Sequence, residues 1–531
     1  MTSQHARQKA IDLLIGLGVA GLALALYLPT MAPGLSWAHH GADGGDLIAA
    51  VATGGVPHPS GYPTYVLLGR LVAGLPVGNV AYRLNLFSAL AAAASAVAVY
   101  AAGRRLWGGE GTRSARVLSA GTALAWAAGR TLWSQAVIAE VYALGALFVA
   151  LALAVALGAA RPGRDRRWGI LGLVLGVGLG NHLTLALALP GLAILLWPGK
   201  SPRRLALLAG GLLVGLGVYA YLPLAGAGDP PVYWGQPDRP AGFWWLVSGR
   251  LYHGYAFGLP LAEVPGRLSA WAGLWVAQWG WPGLALGLWG AASLWGRHRR
   301  AGAALAVIYA AHTFYALGYY TADSYVYLLP AHLVAVLWMG EGVAAAWALL
   351  ADLKRRGPGL RRVLGAVLLV APLAWAVVAN GPRVDASRDW EAQAWLEGVA
   401  QALPPGALVI TGDDRHTFSL AYLQWAEGRR SDLLVVDGDL WQEPWYASQV
   451  ARRGGLGDLL TPCPLAVLVE HVLPERPVVL TSWREELALG RAVTEQQGFW
   501  VIGGGGNARR IPGAGLSAGN EWAAWRVLRA D

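Results

Sequence analysis

The chain has 531 residues, 55% of them hydrophobic and 14% charged, with a formal net charge of +10. Soluble domains carry about a quarter charged residues, so this composition excludes an ordinary soluble protein and points to a membrane. The charge is split: Lys and Arg exceed Asp and Glu by 15 up to Asn380, and fall short by 5 from Gly381 onward. A basic excess confined to the apolar part excludes a nucleic-acid face, and the single cysteine, Cys463, excludes an internal disulfide or a cysteine metal site.

The apolar run Ile11 to Leu28 follows His5, Arg7 and Lys9. It is longer than a secretory h-region and no small-residue cleavage site follows, so it is expected to be a retained first span. Further apolar runs predict spans near 80–102, 117–131, 136–159, 168–181, 183–198, 205–224, 269–295, 302–319, 326–349 and 363–380, about eleven in all. Basic clusters fall between alternate spans: Arg104 to Arg116, Arg161 to Arg167, Lys200 to Arg204, Arg297 to Arg300 and Lys354 to Arg362. With these inside, the N-terminus is cytoplasmic and the chain beyond Asn380 lies outside a bacterial-type inner (plasma) membrane.

The first outer loop, within 30–79, holds Gly41-Ala-Asp-Gly-Gly-Asp46, then His58 between two prolines, then Tyr62 and Tyr65. Glycine and proline at this density fix turns, and a polar, turn-rich loop among lipid-facing helices needs a cavity or a function. Asp43 and Asp46, three residues apart, read either as a general base with an acidic anchor or as a helix cap with a solvated carboxylate; spacing alone does not separate these. Glu140, with Tyr142 beside it, and His182 lie at or inside apolar spans, where ionisable groups are costly and mark function. Asp229 in the long outer loop 225–268 and Asp323 at the next outer turn join them on the same side. His58, Arg83, His182, Arg239 and Arg250 are the cations that could hold a phosphate there. No His-x-x-x-His spacing appears, and His39-His40 is a poor pair for one metal, so no cofactor is required, although a divalent cation is compatible with the acids.

After residue 381 the pattern changes to strands at 407–411, 432–437, 477–481 and 499–502, with helices near 416–427 and 485–494. This alternation predicts a small soluble α/β domain over 381–531, after a transmembrane domain over 1–380. Gly503 to Gly506 reads as a loop.

Asp43-x-x-Asp46, the run Val56-Pro-His-Pro-Ser-Gly-Tyr-Pro-Thr-Tyr65, Tyr82-Arg-Leu-Asn-Leu-Phe-Ser88, Trp133-Ser-Gln-Ala-Val-Ile-Ala-Glu-Val-Tyr142 and Gly180-Asn-His-Leu-Thr184 occur in this order. Together they resemble a bacterial family of polytopic proteins long labelled a domain of unknown function, whose animal relative is a transmembrane O-mannosyltransferase. The resemblance implies a mainly helical GT-C-like glycosyltransferase with a polyprenyl-phosphate sugar donor and a protein or glycan acceptor outside the cytoplasm. It also places Asp43 on the family's first loop acid, the base, and Asp46 on the second, where the family more often has Glu. Tyr221-Leu-Pro-Leu-Ala225 departs from the family, which tends to have Arg at its last position. His58, Tyr62, Arg83, Glu140, Tyr142, His182 and Asp323 are the expected donor-binding residues. A transporter or lipid-linked-sugar flippase is the competing expectation, since internal charges in broken helices suit both.

Overall fold

The computed structural model describes residues 3–502 apart from 109–112, 161–162, 351–357, 458, 460, 489–490, 492 and 497–498. The expected loop at Gly503 to Gly506, together with Arg161 and Lys354 to Arg356 of the basic clusters, lies outside the described residues.

Among the described residues, seven helices are long and apolar enough to cross a membrane: Ala6–Thr30, Val80–Trp107, Tyr142–Ala159, Pro202–Gly226, Arg299–Gly318, Ser324–Leu349 and Arg362–Val384. The other expected spans coincide with α5 (Arg113–Ala127), α8 (Arg166–Leu179), the apolar stretch Leu183–Gly199 and α13 (Val264–Arg297). The remaining helices of the bundle are α1 (Ser3–Thr30), α4 (Val80–Trp107), α7 (Tyr142–Ala159), α10 (Pro202–Leu216), α14 (Arg299–Gly318), α15 (Leu329–Leu349) and α16 (Pro358–Val384).

In an apolar solvent, close packing replaces the hydrophobic effect as the force between helices, so small residues sit at the contacts. Helix α4 packs against α7, α5 and α1, and its buried residues include Ala89, Ala92, Ala93 and Ala96. Helices α8 and α10 touch backbone to backbone: a Cβ on Gly215 would stand 2.6 Å from the Leu173 carbonyl oxygen. Helix α13 breaks at Trp279 and Gly280, just before Pro282. Proline removes an N–H from the ladder and forces the kink, and the Asn380 amide caps the freed Gln278 carbonyl at 3.2 Å.

Two shorter helices occupy the first loop, where the composition favours turns: α2 (Gly44–Thr53) and α3 (Pro63–Ala73). A third, α6 (Arg130–Ala136), precedes Glu140. They gather at one end of the bundle with the segments around 182, 229–263 and 319–328. The described members of the basic clusters gather at the other end.

The chain after α16 wraps a five-stranded sheet of order β2-β1-β3-β5-β4. Strands β1 (Leu408–Thr411), β2 (Leu434–Asp437) and β3 (Val478–Leu480) are parallel, and β4 (Val493–Gln496) and β5 (Phe499–Ile502) form an antiparallel edge. The helix expected over 485–494 stops at Ala488, because Val493 and Thr494, both β-branched or strand-favouring, pair with Ile502 and Val501. Helices α17 (Glu391–Ala402), α18 (Asp414–Trp425) and α19 (Pro444–Gly454) flank the sheet.

Candidate active site

The polar residues of the sequence motifs brace the loops at the site end. Asn85 on α4 donates to the Ala32 and Gly34 carbonyls at 2.9 Å, fixing the segment that leads to Asp43. The Thr64 N–H donates to the Gly180 carbonyl at 3.0 Å, and Asn181 donates to the Val141 carbonyl at 3.1 Å. Segments far apart in sequence are thereby joined around one opening. The long outer loop is stitched on by a parallel bridge between Val56 and Tyr233.

That bridge brings Trp234 to Asp46. Asp46 is buried, and its two oxygens are fully used: Oδ1 accepts from Trp234 Nε1 at 3.0 Å, and Oδ2 accepts from the His58 N–H at 2.8 Å and pairs with His58 Nδ1 at 2.7 Å. The imidazole is aimed by this grip, and its other nitrogen, Nε2, lies 3.5 Å from Asp43 Oδ2. One histidine is therefore clamped between two carboxylates. Burial alone would drive the imidazole toward neutrality, but the Asp43 charge and the Asp46 hydrogen bond outweigh it and raise its pKa to about 9. His58 is a cation at neutral pH. Burial also pushes the Asp43 carboxyl upward, against the pull of the His58 charge.

Asp43 is 29% exposed, and what it faces is a cavity of about 460 Å³. His58, Tyr62, Tyr142, His182 and Asp323 line the same cavity, so the structure brings together six of the nine residues singled out from sequence. The rings follow one another: His58 to Tyr62 at 5.0 Å, Tyr62 to His182 at 6.0 Å, and His182 to Tyr142 and to Tyr327 at 5.7 Å each. His182 Nδ1 accepts from the Thr184 N–H at 3.3 Å, which leaves the proton of the neutral ring on Nε2. Asp323 sits before a short turn held by Arg267, whose Nη1 donates to Ser324 Oγ at 2.5 Å.

Three of the nine stand elsewhere. Asp46 lies behind His58 rather than on the cavity wall. Glu140 is buried beneath the site, with its Oε2 accepting from the Val141 N–H at 3.3 Å. Arg83 donates to the carbonyls of Ala73, Val77 and Gly78 at 2.6 to 2.9 Å, closing the end of α3. The cavity wall carries neither Arg239 nor Arg250; its acids and histidines are Asp43, Asp323 and Asp414 with His58, His182 and His253. Among the described residues no three His, Cys, Asp or Glu side chains come together as a metal site.

Asp414 was not among the expected residues. It opens α18, behind the N-cap Asp413, whose side chain accepts from the His416 N–H at 2.9 Å. Its side chain is exposed on the cavity wall, yet protein surrounds it, and burial together with the Asp43 and Asp437 charges raises its pKa to about 7. The helix docks directly on α2: a Cβ on Gly45 would collide with the Phe418 carbonyl, so only glycine allows this approach. Phe418 then lies on the His58 ring, and Trp37 Nε1 donates to Ser419 Oγ at 3.0 Å. Arg453 on α19 adds contacts to the Pro230 and Pro231 carbonyls at 2.6 Å each.

Residues 43–204 match the family model described as the Protein O-mannosyl-transferase TMEM260 N-terminal domain. The chain is also similar to the mouse (Mus musculus) protein O-mannosyl-transferase TMEM260, 26% identical over 445 residues, which are 78% of this chain and 61% of the relative. It therefore spans about three fifths of the curated relative's length. Among solved structures, ArnT from Cupriavidus metallidurans in the apo state superposes with a TM-score of 0.58 at 15% identity, covering 92% of this chain and 97% of that one. ArnT bound to undecaprenyl phosphate gives 0.55 at 14% identity over 93% and 97%. The archaeal oligosaccharyltransferase AglB from Archaeoglobus fulgidus, in complex with an inhibitory peptide and a dolichol-phosphate, gives 0.51 at 12% identity over 89% and 69%. The resemblance read from the motifs and the GT-C-like fold expected from it are both borne out: this is a multi-pass membrane protein with the fold of ArnT and AglB and a stretch, residues 43–204, like the N-terminal domain of TMEM260.

Proposed function

We propose that the protein is a membrane glycosyltransferase that moves a hexose, mannose in the first instance, from a polyprenyl-phosphate donor to a hydroxyl of a protein or glycan acceptor. The observation that carries this reading is the Asp43–His58–Asp46 clamp on the wall of a tyrosine-lined cavity. Asp43 is the one member of the clamp that faces open space. It takes the proton of the acceptor hydroxyl as that oxygen attacks the anomeric carbon from the face opposite the phosphate. The bond from carbon to phosphate oxygen breaks, and polyprenyl phosphate leaves with the electron pair. Base and leaving group lie on opposite sides of the sugar, so the product is inverted.

The leaving phosphate gains negative charge and needs hydrogen-bond donors in place beforehand. The His182 Nε2–H and the Tyr142 phenol, further along the cavity wall, are suited to donate to it, while His58 holds the Asp43 carboxylate in place as the base. Asp46 serves as a positioning residue through His58. Asp323 and Asp414 are suited to accept from sugar or acceptor hydroxyls.

The proposed arrangement has a transmembrane part over 1–380 with its N-terminus cytoplasmic, and a soluble domain over 381–531 outside. Support comes from the basic clusters at the end of the bundle away from the cavity. The bilayer is that of a bacterial-type inner membrane. The ligands bound to ArnT and AglB in those structures, undecaprenyl phosphate and a dolichol-phosphate, favour a lipid-linked donor here.

The test is to incubate purified protein in vesicles with polyprenyl-phosphate mannose and an acceptor peptide. Consumption of the donor with release of polyprenyl phosphate supports transfer. Donor that crosses the bilayer chemically intact would mean a flippase instead.

A further inference from the structure

Strand β2 is an edge of the five-stranded sheet, so one side of its backbone has no neighbouring strand. It runs parallel to β1, and in such a ladder every second residue turns both its N–H and its carbonyl toward the neighbour. The Leu434 N–H donates to the Ala407 carbonyl at 2.9 Å, and the Gly438 N–H to the Thr411 carbonyl at 3.0 Å. Leu433, Val435 and Asp437 therefore turn their backbone groups outward.

Two of these three are already engaged. Gln424 Nε2 donates to the Leu433 carbonyl at 2.9 Å, and the Leu433 N–H donates to the Arg430 carbonyl at 3.2 Å. The Asp437 N–H donates to Tyr446 Oη at 2.8 Å. Between them, the Val435 N–H and carbonyl have no partner among the described residues. Edge strands are ordinarily guarded by Lys, by Pro or by a covering segment. Leu434-Val435-Val436-Asp437 has neither Lys nor Pro.

This edge faces a cavity of about 220 Å³. Helix α18 packs on the Val435 face of the sheet and α19 on the Leu434 and Val436 face, and both helices contribute to the cavity wall. The outer-loop segment Pro231 to Trp234 lines it too, but among the described residues no backbone hydrogen bond joins that segment to β2. Trp425, at the end of α18, stands on the wall 40% exposed.

An outward N–H and carbonyl on one residue, between two engaged neighbours, fit the main chain of one incoming strand, and apolar walls fit its side chains. We propose that β2 docks an extended segment of a polypeptide acceptor, paired through its main chain to Val435. That the segment is an acceptor rests on the transferase reading; the docking does not. Phe418 lines this cavity and His58 the candidate active site, and their rings are stacked, so the segment lies one aromatic layer from the reaction.

The experiment uses the full chain in nanodiscs, without donor, and the fluorescein-labelled heptapeptide Lys-Thr-Val-Thr-Val-Thr-Lys, with binding read by anisotropy. A second peptide carries N-methyl groups on its five central residues, which keeps the side chains and removes the main-chain donors. Val435→Pro deletes the outward N–H and spares the ladder to β1, the one placement in a strand that proline tolerates. Trp425→Ala opens the wall, and Trp390→Ala, on a residue 54% exposed and outside the cavity, is the control. The heptapeptide should bind wild type and control alike, about tenfold more weakly to Val435→Pro and several-fold more weakly to Trp425→Ala. The N-methylated peptide should bind the wild type at least about tenfold more weakly. Equal binding of the two peptides by the wild type would overturn the proposal, whether or not the variants fold. Binding of mannotriose in place of the peptide would make the occupant a glycan and overturn it as well. Transfer to the heptapeptide with one KM in wild type and Val435→Pro would end the docking and leave the transferase reading standing. Binding that depends on Val435, with no transfer, would uphold the docking and end the transferase reading.

Discussion

The Phe418 ring stacks on the His58 imidazole, centroids 5.9 Å apart and planes 14° from parallel. The two residues come from opposite parts of the chain, and the contact means that the domain after α16 is part of the candidate site. Phe418 is 3% exposed, so truncation to alanine opens a cavity where two elements meet. Phe418→Ala is expected to cost about 3 kcal/mol of local stability and to release His58 from one wall. Limited proteolysis should cleave the variant between α16 and α18 faster than the wild type, with transfer lost in parallel.

Asp46 and Asp43 should separate in their effects. Asp46→Asn exchanges one acceptor oxygen for an NH₂ group facing either the Trp234 Nε1–H or the His58 donors, so two donors meet. The expected cost is about 2 kcal/mol in the unfolding of the loop, with a lower melting temperature. Asp43→Asn leaves those hydrogen bonds intact but removes a charge that holds His58 protonated, so its deficit in melting temperature should vanish as pH rises through about 9, whereas that of Asp46→Asn should persist. Equal destabilisation by the two variants at every pH would remove the distinction between positioning residue and base.

His58 gives a pH dependence with a definite sign. Its folded pKa, about 9, lies above its ordinary value of 6.5. The stability it contributes is therefore fully present below about pH 6.5 and is lost as pH rises through about 9. The melting temperature of the wild type should decline over that window, and His58→Gln should flatten the decline. A variant with the same slope as the wild type would assign the titration to another group.

Asp414 should behave in the opposite way to an ordinary surface carboxylate. Its pKa is raised to about 7, so the ionised form is disfavoured in the folded protein and stability falls as pH rises through about 7. Asp414→Asn is expected to melt higher than the wild type at about pH 8 while transfer to the acceptor falls, because the neutral amide removes the repulsion from Asp43. Unchanged transfer would place Asp414 outside the reaction.

Much of this was legible from the residues. Runs of 17 to 25 apolar residues located the spans, because each must satisfy its own backbone across the hydrocarbon. Glu140 and His182 stood out because ionisable groups at or inside such runs are costly, and Asp43 and His58 because a polar, turn-rich loop among apolar spans needs a cavity or a function. Arg83 misled, since an arginine that closes a helix end and one that meets a phosphate have the same local sequence; only its three carbonyl partners tell them apart. Asp414 was hidden for the reverse reason. It looks like any acid in the first turn of a helix, and its meaning comes from Gly45, almost 370 positions earlier, letting α18 approach. Val493 and Thr494, the start of β4, were read as the end of a helix because pairing with β5 is a tertiary choice that a four-residue segment does not announce.

The central claim is that Asp43 takes the acceptor's proton. The direct measurement is single-turnover transfer from polyprenyl-phosphate mannose by Asp43→Asn, with binding of the donor followed separately. The account predicts a rate about two to four orders of magnitude below the wild type, with donor binding retained and the variant folded. Transfer at the wild-type rate by the folded variant would contradict it.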